Sequence, residues 1–91
     1  MRMNMKTIYS SKKVNPNYYM ELGVDDNQPV LYVYKEGDLF DWHFSMGSSY
    51  MAEMQNTIGC YQIVHGIEPR MEDIMLWRNW FKELKNKRII S

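Results

Sequence analysis

The sequence predicts an α+β fold: a three- to four-stranded antiparallel sheet over residues 5–44, packed against a C-terminal two-helix hairpin of residues 49–65 and 69–88. Three observations predict this fold. The first half of the chain alternates apolar and polar residues, which is the two-residue period of half-buried strands. The second half repeats apolar residues at helical spacing. A chain of 91 residues with 45% hydrophobic content has room for one core, so we expect a single domain over residues 1–91.

The first two strands are predicted on either side of a polar loop. Residues 5–9 form a short candidate strand, and the Ser, Lys and Asn content of residues 10–17 is typical of a loop. Residues 18–24 alternate in the manner of a strand with one buried face. An acidic pair follows in residues 25–29, but the later ligands and the glycine of a calcium loop are missing. We therefore expect a plain turn there and no metal site.

A hairpin over residues 30–44 is the clearest strand pair in the sequence. Its centre is a Glu-Gly pair, and glycine supplies the positive φ of a tight two-residue turn. With that turn Val33 pairs with Phe40. Leu31 then pairs with Trp42, and all strongly apolar side chains fall on one face.

The opposite face of this hairpin is expected to be solvated and polar. It carries Tyr32, Tyr34, Asp41 and His43. A three-residue turn would instead place Asp41 opposite Val33 and would exchange the two faces. The two-residue turn is favoured because it keeps the apolar side chains together.

Residues 49–65 are predicted as the first helix, although residues 60–65 taken alone would also suit a strand. The helix is favoured because most of its apolar side chains gather within about 140° of one another. Ser49 is placed to cap its start. Gly66 is placed as the left-handed residue that ends it.

The second helix, residues 69–88, has the strongest amphipathic pattern in the chain. Its apolar stripe consists of Ile74, Trp77, Trp80, Phe81 and Leu84. Acidic residues precede it and basic residues crowd its end, as the helix dipole favours. We expect Trp77 and Phe81 to be buried against the apolar face of the hairpin, made of Leu31, Val33, Phe40 and Trp42.

Charge and composition argue against several classes of protein. Eleven basic and eleven acidic side chains give zero formal net charge, which argues against a dedicated duplex-DNA binder. No apolar run approaches the roughly 18–20 residues of a membrane span. A single cysteine, Cys60, fits a reducing compartment, and we expect the cytoplasm. No phosphate-binding glycine pattern or metal-ligand spacing is present, so no cofactor is expected.

Two surfaces are candidates for binding. The first is the polar hairpin face of Tyr32, Tyr34, Asp41 and His43. The second is the side of the last helix that carries Met75 and Leu76, because these apolar residues project away from the apolar stripe. The hairpin face is preferred because it clusters two tyrosines with a carboxylate and an imidazole on one rigid strand pair.

The leading functional hypothesis is a small, non-catalytic intracellular module that binds another protein or itself. Its size would suit an inhibitor encoded by a virus or a mobile element. An alternative is a nucleotide or single-stranded nucleic-acid binder that stacks bases on Tyr32 and Tyr34. A third is a small enzyme that uses Asp41 and His43 for acid–base chemistry.

Overall fold

The computed structural model describes residues 6–44 and 49–91, and of residues 42–44 it describes the backbone alone. The chain divides into two compact units, Met1–Ser45 and Met46–Ser91. The first holds a four-stranded antiparallel sheet and the second holds two helices, so the predicted α+β class is confirmed. The single domain expected from chain length stays a prediction.

The strands of the first unit form an antiparallel sheet in the order β1-β2-β3-β4, which is also their order along the chain. The bounds are Lys6–Ser10 for β1, Tyr18–Asp25 for β2, Gln28–Lys35 for β3 and Asp38–Phe44 for β4. The alternating stretch at residues 18–24 is therefore a strand, as predicted.

The plain turn predicted after β2 is confirmed as a two-residue hairpin turn. Asp25 pairs with Gln28 across it. The two residues between them, Asp26 and Asn27, have φ of 52° and 61°. Two positive φ angles define the turn type whose twist matches that of paired strands, and Asp and Asn tolerate this conformation better than most residues.

The turn between β3 and β4 is also the predicted one. Lys35 pairs with Asp38 across Glu36 and Gly37. These two central residues have φ of 54° and 87°. Glycine adopts its angle without strain, and the twist of the turn again suits the strands on either side.

Beyond this turn the register of the β3–β4 hairpin differs from the prediction. Tyr34 lies opposite Leu39, but its neighbour Val33 lies opposite Asp41. Phe40 is the extra residue of a β-bulge between these two pairs. The predicted pairing of Val33 with Phe40 is therefore wrong, because a bulge adds one residue to one strand and shifts every later pair.

The shift continues to the end of β4. Leu31 lies opposite His43 rather than Trp42, and Trp42 lies opposite Tyr32. This is the register expected of a three-residue turn, reached instead by a two-residue turn followed by a bulge. Since successive residues of a strand point to opposite faces, one extra residue is enough to exchange them.

Strand β3 is buried on both of its faces. Val30, Tyr32 and Tyr34 alternate along one face. Leu31 and Val33 lie on the other face and are also buried. A short, continuous apolar run is consistent with a fully buried strand as well as with a half-buried one, and here the former is found.

The first helix, α1, spans Tyr50–His65, so residues 60–65 are helical as predicted. The side chain of Ser49 caps its start by accepting a hydrogen bond from the backbone N–H of Ala52 at 3.2 Å. Gly66 ends it with φ of 69°, in the left-handed conformation. Both caps agree with the sequence analysis.

The buried line of α1 differs from the predicted apolar stripe. It consists of Glu53, Thr57, Tyr61 and Val64. Met51 was expected on the buried stripe and is 67% exposed. Glu53 was expected on the polar side and is only 2% exposed. Glu53 lies one turn before Thr57 on the same face of the helix. That face also carries the buried ring of Tyr61.

The second helix, α2, spans Met71–Asn86, two residues shorter at each end than predicted. Helix ends are the least certain part of any prediction from periodicity. Its buried residues are Asp73, Trp77, Phe81 and Leu84, three of which belong to the predicted stripe.

The end of α2 is closed by a residue in the left-handed conformation, Arg88, with φ of 62°. Its N–H donates to the carbonyl of Lys85 at 3.0 Å, and the N–H of Ile89 donates to that of Leu84 at 2.9 Å. This pair of bonds is the Schellman motif, which satisfies carbonyls that a helix end leaves open.

The two helices meet through aromatic side chains. The rings of Tyr61 and Trp77 lie 5.8 Å apart, and Trp77 is fully buried. The predicted burial of Trp77 and Phe81 is confirmed, whereas their contact with the hairpin stays a prediction. Phe40 was expected in that contact and is 60% exposed, so its assignment to the core is wrong. The side chain of Trp42 lies outside the described residues.

Candidate binding surfaces

The tyrosines of the hairpin are buried, so the expected solvated tyrosine face is wrong. Tyr32 is 8% exposed and Tyr34 is 4% exposed. Tyr34 stacks on Tyr19 of the neighbouring strand, with ring centroids 5.2 Å apart and an interplanar angle of 22°. It meets Tyr32 edge to face at 6.4 Å. These are the two geometries that aromatic pairs prefer, and they account for burial on this face.

The polar end of Tyr32 is engaged locally. Its hydroxyl donates a hydrogen bond of 2.9 Å to Oδ2 of Asp25 at the end of β2. The ammonium of Lys12 lies 5.6 Å from the ring centroid of Tyr19, within range of a cation–π contact. A base that stacked on these rings would have to displace existing contacts, so the stacking platform expected from the sequence is not accessible.

Asp41 lies on the opposite side of the hairpin from the tyrosines. It is exposed, and it is paired with Val33, whose face alternates with that of Tyr32 and Tyr34. The side chain of His43 lies outside the described residues. Tyr32 and Tyr34 therefore do not share a face with Asp41, contrary to the prediction. The reason is the bulge, which places Asp41 on the other face of the hairpin.

Met75 and Leu76 lie where the sequence placed them, away from the buried side of α2. They are 42% and 44% exposed. Met71 lies one turn before Met75 on the same side of the helix and is 71% exposed. We call Met71, Met75 and Leu76 the α2 outer surface. Met71 was missed, although its four-residue spacing from Met75 is a signal that could have found it.

The row of Met71 and Met75 continues into basic side chains. Arg78 and Lys82 follow at helical spacing and are exposed. One side of α2 therefore presents two flexible apolar side chains and then two positive charges.

A second exposed apolar group lies at the tip of the β3–β4 hairpin. Leu39 is 45% exposed and Phe40 is 60% exposed. Phe40 meets the ring of Tyr18 edge to face at 6.3 Å, and the ammonium of Lys35 lies 5.2 Å from its centroid. This group was not predicted from the sequence, because Phe40 was expected in the core and no local signal in the sequence marks the bulge.

Titratable side chains cluster where the two helices meet. Arg70 bridges the carboxylates of Glu72 at 2.7 Å and Asp73 at 3.4 Å. The hydrogen bond with Asp73 raises the pKa of Arg70. Asp73 is 4% exposed and lies in the first turn of α2, where a negative charge complements the helix dipole.

The pKa values of two further side chains of this cluster, Tyr61 and His65, are shifted in the direction that favours the neutral form. Burial raises the pKa of Tyr61, and the charge of Asp73 adds to the effect while Arg70 opposes it. Burial lowers the pKa of His65, whose ring lies 4.7 Å from that of Tyr61. Tyr61 and His65 lie one turn apart on α1, and the ring of Tyr61 also contacts Trp77 of α2 at 5.8 Å. The cluster therefore has a structural role where α1 meets α2.

In the part of the chain that the structure describes, no group of three or more His, Cys, Asp and Glu side chains is placed to hold a metal ion. Cys60 is a half-buried thiol. Neither described helix is long and apolar enough to cross a membrane.

Comparison of the chain with protein-family models, with curated proteins and with solved structures found no match.

Proposed function

We propose that this chain is a non-catalytic module that binds another protein through the α2 outer surface. The observation that carries the proposal is the exposure of Met71, Met75 and Leu76, at 71%, 42% and 44%, within the first two turns of one helix. Isolated exposed apolar residues are ordinary on a protein surface, but a cluster of long ones marks an interaction site.

The chemistry of this surface indicates the kind of partner. Burying a methionine or leucine side chain gains about 1.5–3 kcal/mol when it starts fully exposed, and proportionately less from partial exposure. Methionine also adapts its shape to a groove more readily than branched side chains do. Because Arg78 and Lys82 continue the row, the partner that fits has an apolar groove with an acidic rim.

The competing functions have less support. A single-stranded nucleic-acid binder was expected to stack bases on Tyr32 and Tyr34, which are buried. An enzyme would combine Asp41 with His43, two residues further along β4, and the side chain of His43 lies outside the described residues. The proposed compartment is the cytoplasm, supported by the single cysteine, Cys60.

The test is to isolate the partner by affinity capture from the native cell and to measure its affinity for purified variants. Met71→Ser combined with Met75→Ser should weaken binding by about tenfold or more, equivalent to about 1.4 kcal/mol. Met51→Ser is the matched control, because Met51 is 67% exposed on the other helix and should leave affinity unchanged. Circular dichroism checks that each variant is folded.

Equal affinity of the parent and the Met71/Met75 double variant would overturn the assignment of this surface. A charge test sharpens the result: Arg78→Glu should reduce the association rate and its dependence on salt if the groove of the partner has an acidic rim.

A further inference from the structure

We infer that the open edge of β4, together with the hairpin tip, docks an extended basic segment of another protein by strand addition. This goes beyond the proposed function, because it uses a different surface, in the other unit, with a partner of different chemistry. Four features of the hairpin carry the inference: its edge, its bulge, its held aromatic ring and its charge.

The first feature is the edge itself. Among the strands that the structure describes, β4 pairs with β3 alone and ends the sheet. A strand in this position presents backbone N–H and C=O groups along its outer side, and an extended chain can pair with them. Backbone pairing supplies affinity without specifying sequence, so the side chains nearby determine which segment fits.

The second and third features meet at Phe40. As the extra residue of the bulge it is turned out of the regular alternation, and it stays 60% exposed. The ring nevertheless contacts two side chains. It meets the ring of Tyr18 edge to face, and the ammonium of Lys35 lies over it. A ring that is already ordered loses little entropy when a partner covers it, which is the property of a binding anchor.

The fourth feature is negative charge. Glu36, Asp38 and Asp41 are exposed carboxylates within six positions of one another along the hairpin. The basic side chain beside them, Lys35, lies over the ring of Phe40. Within the described residues, neither Glu36 nor Asp38 takes part in a salt bridge. Charge complementarity therefore favours an occupant rich in arginine or lysine.

The same features disfavour a second copy of this chain as the occupant. Pairing β4 with β4 would bring Asp38 and Asp41 of both copies into one strand pair, and like charges in close register destabilise a sheet. A nucleic acid is disfavoured by the same carboxylates.

The experiment uses the full chain and three synthetic capped peptides of about eight residues, a usual strand length. The first alternates arginine with valine, and the second alternates glutamate with valine. The third has the sequence of the first, but every backbone nitrogen is methylated. N-methylation removes every backbone N–H donor of the peptide while keeping its charge. Affinity is measured by titration calorimetry, and hydrogen exchange followed by NMR locates the bound peptide.

The arginine–valine peptide should bind and slow exchange of amides in β4. The other two peptides should bind at least about tenfold more weakly, since each lacks one of the two required properties. Asp38→Lys should weaken binding of the first peptide by a similar factor, and so should Phe40→Ser. The Met71/Met75 double variant should bind as the parent does, which separates this inference from the proposed function.

Three results would overturn the inference. Absence of binding by the arginine–valine peptide would show that the edge accepts no strand of this chemistry. Equal affinity of the N-methylated arginine–valine peptide would show charge attraction without strand addition. Sedimentation that reveals self-association of the peptide-free parent, abolished by Phe40→Ser, would assign the edge to a second copy.

Discussion

The sheet unit and the helical unit bury different kinds of side chain. In the sheet, tyrosines that could have faced water are buried, and both faces of β3 are covered. In the helices, Glu53 and Asp73 lie on the buried lines while Met71 is left in solvent. For these particular side chains, in both units, hydropathy predicted the environment poorly.

The difference has a physical explanation. A strand has two faces, so a single bulge exchanges the environment of every residue after it. A helix can rotate by a fraction of a turn, so its buried line shifts gradually and a residue such as Glu53 moves inward while its neighbours change little. The predictions below probe this contrast, beginning with the largest expected effect.

The helical unit should be most sensitive at Trp77. Trp77→Ala should lower the free energy of unfolding by about 3–5 kcal/mol, because the ring is fully buried and packs on Tyr61. The adjacent Leu76→Ala is the control and should change it by less than about 1 kcal/mol, since Leu76 is 44% exposed. Denaturant unfolding measures both. Similar losses from the two variants would mean that the other side of α2 is buried.

Because of the bulge, two aromatic substitutions in the sheet unit should lower the free energy of unfolding by different amounts. Tyr34→Ala should lower the free energy of unfolding by about 3 kcal/mol, since Tyr34 is 4% exposed and stacks on Tyr19. Phe40→Ala should lower it by less than about 1 kcal/mol, since Phe40 is 60% exposed. Thermal unfolding of both proteins is the measurement. A register without the bulge requires the reverse order.

Two glycines of the helical unit should respond with opposite signs. Gly59 lies inside α1 with open space around the position of a Cβ atom, so Gly59→Ala should stabilise by up to about 1 kcal/mol. Gly66 also has open space, but its φ is 69°, so Gly66→Ala should destabilise by about 1 kcal/mol through backbone strain alone. Two stabilising substitutions would contradict the left-handed end of α1.

The smallest expected effect is a dependence of stability on pH. Because burial lowers the pKa of His65, the folded protein binds fewer protons than the unfolded one just below the usual histidine pKa of about 6.5. Neutral His65 therefore does not disfavour the folded state above that pH. As the pH falls below it, His65 is protonated more readily in the unfolded protein, and the free energy of unfolding decreases. His65→Gln should therefore reduce the difference between melting temperatures measured near pH 7.5 and pH 5.5. An unchanged difference would show that His65 titrates normally.

The candidate site was predicted only in part from the sequence. The exposure of Met75 and Leu76 could be predicted, because helical spacing from Trp77 places them away from the buried side. The tyrosines of the hairpin could not be placed, because Tyr32 and Tyr34 suit a solvated face and a buried face equally well. Their mutual packing and the bulge at Phe40 decided between them.

What the sequence by itself determined is the set of local structures. These local structures are the cap at Ser49, the left-handed conformation of Gly66 and of the hairpin turn, and the order of the strands and helices along the chain. All of them depend on nearby residues. Neighbours along the chain suffice to specify them, since the hydrogen bonds involved span a few residues.

Only the tertiary structure decided which faces are buried. The bulge at Phe40 leaves the strand preference of its neighbours unchanged. It nevertheless places Asp41 on the face of the hairpin opposite the tyrosines. The inward position of Glu53 is likewise not predicted by its polar side chain, since it lies on the buried line of α1 with Thr57, Tyr61 and Val64. Burial is set by the free energy of all contacts together, and residues far apart in the chain contribute to that sum.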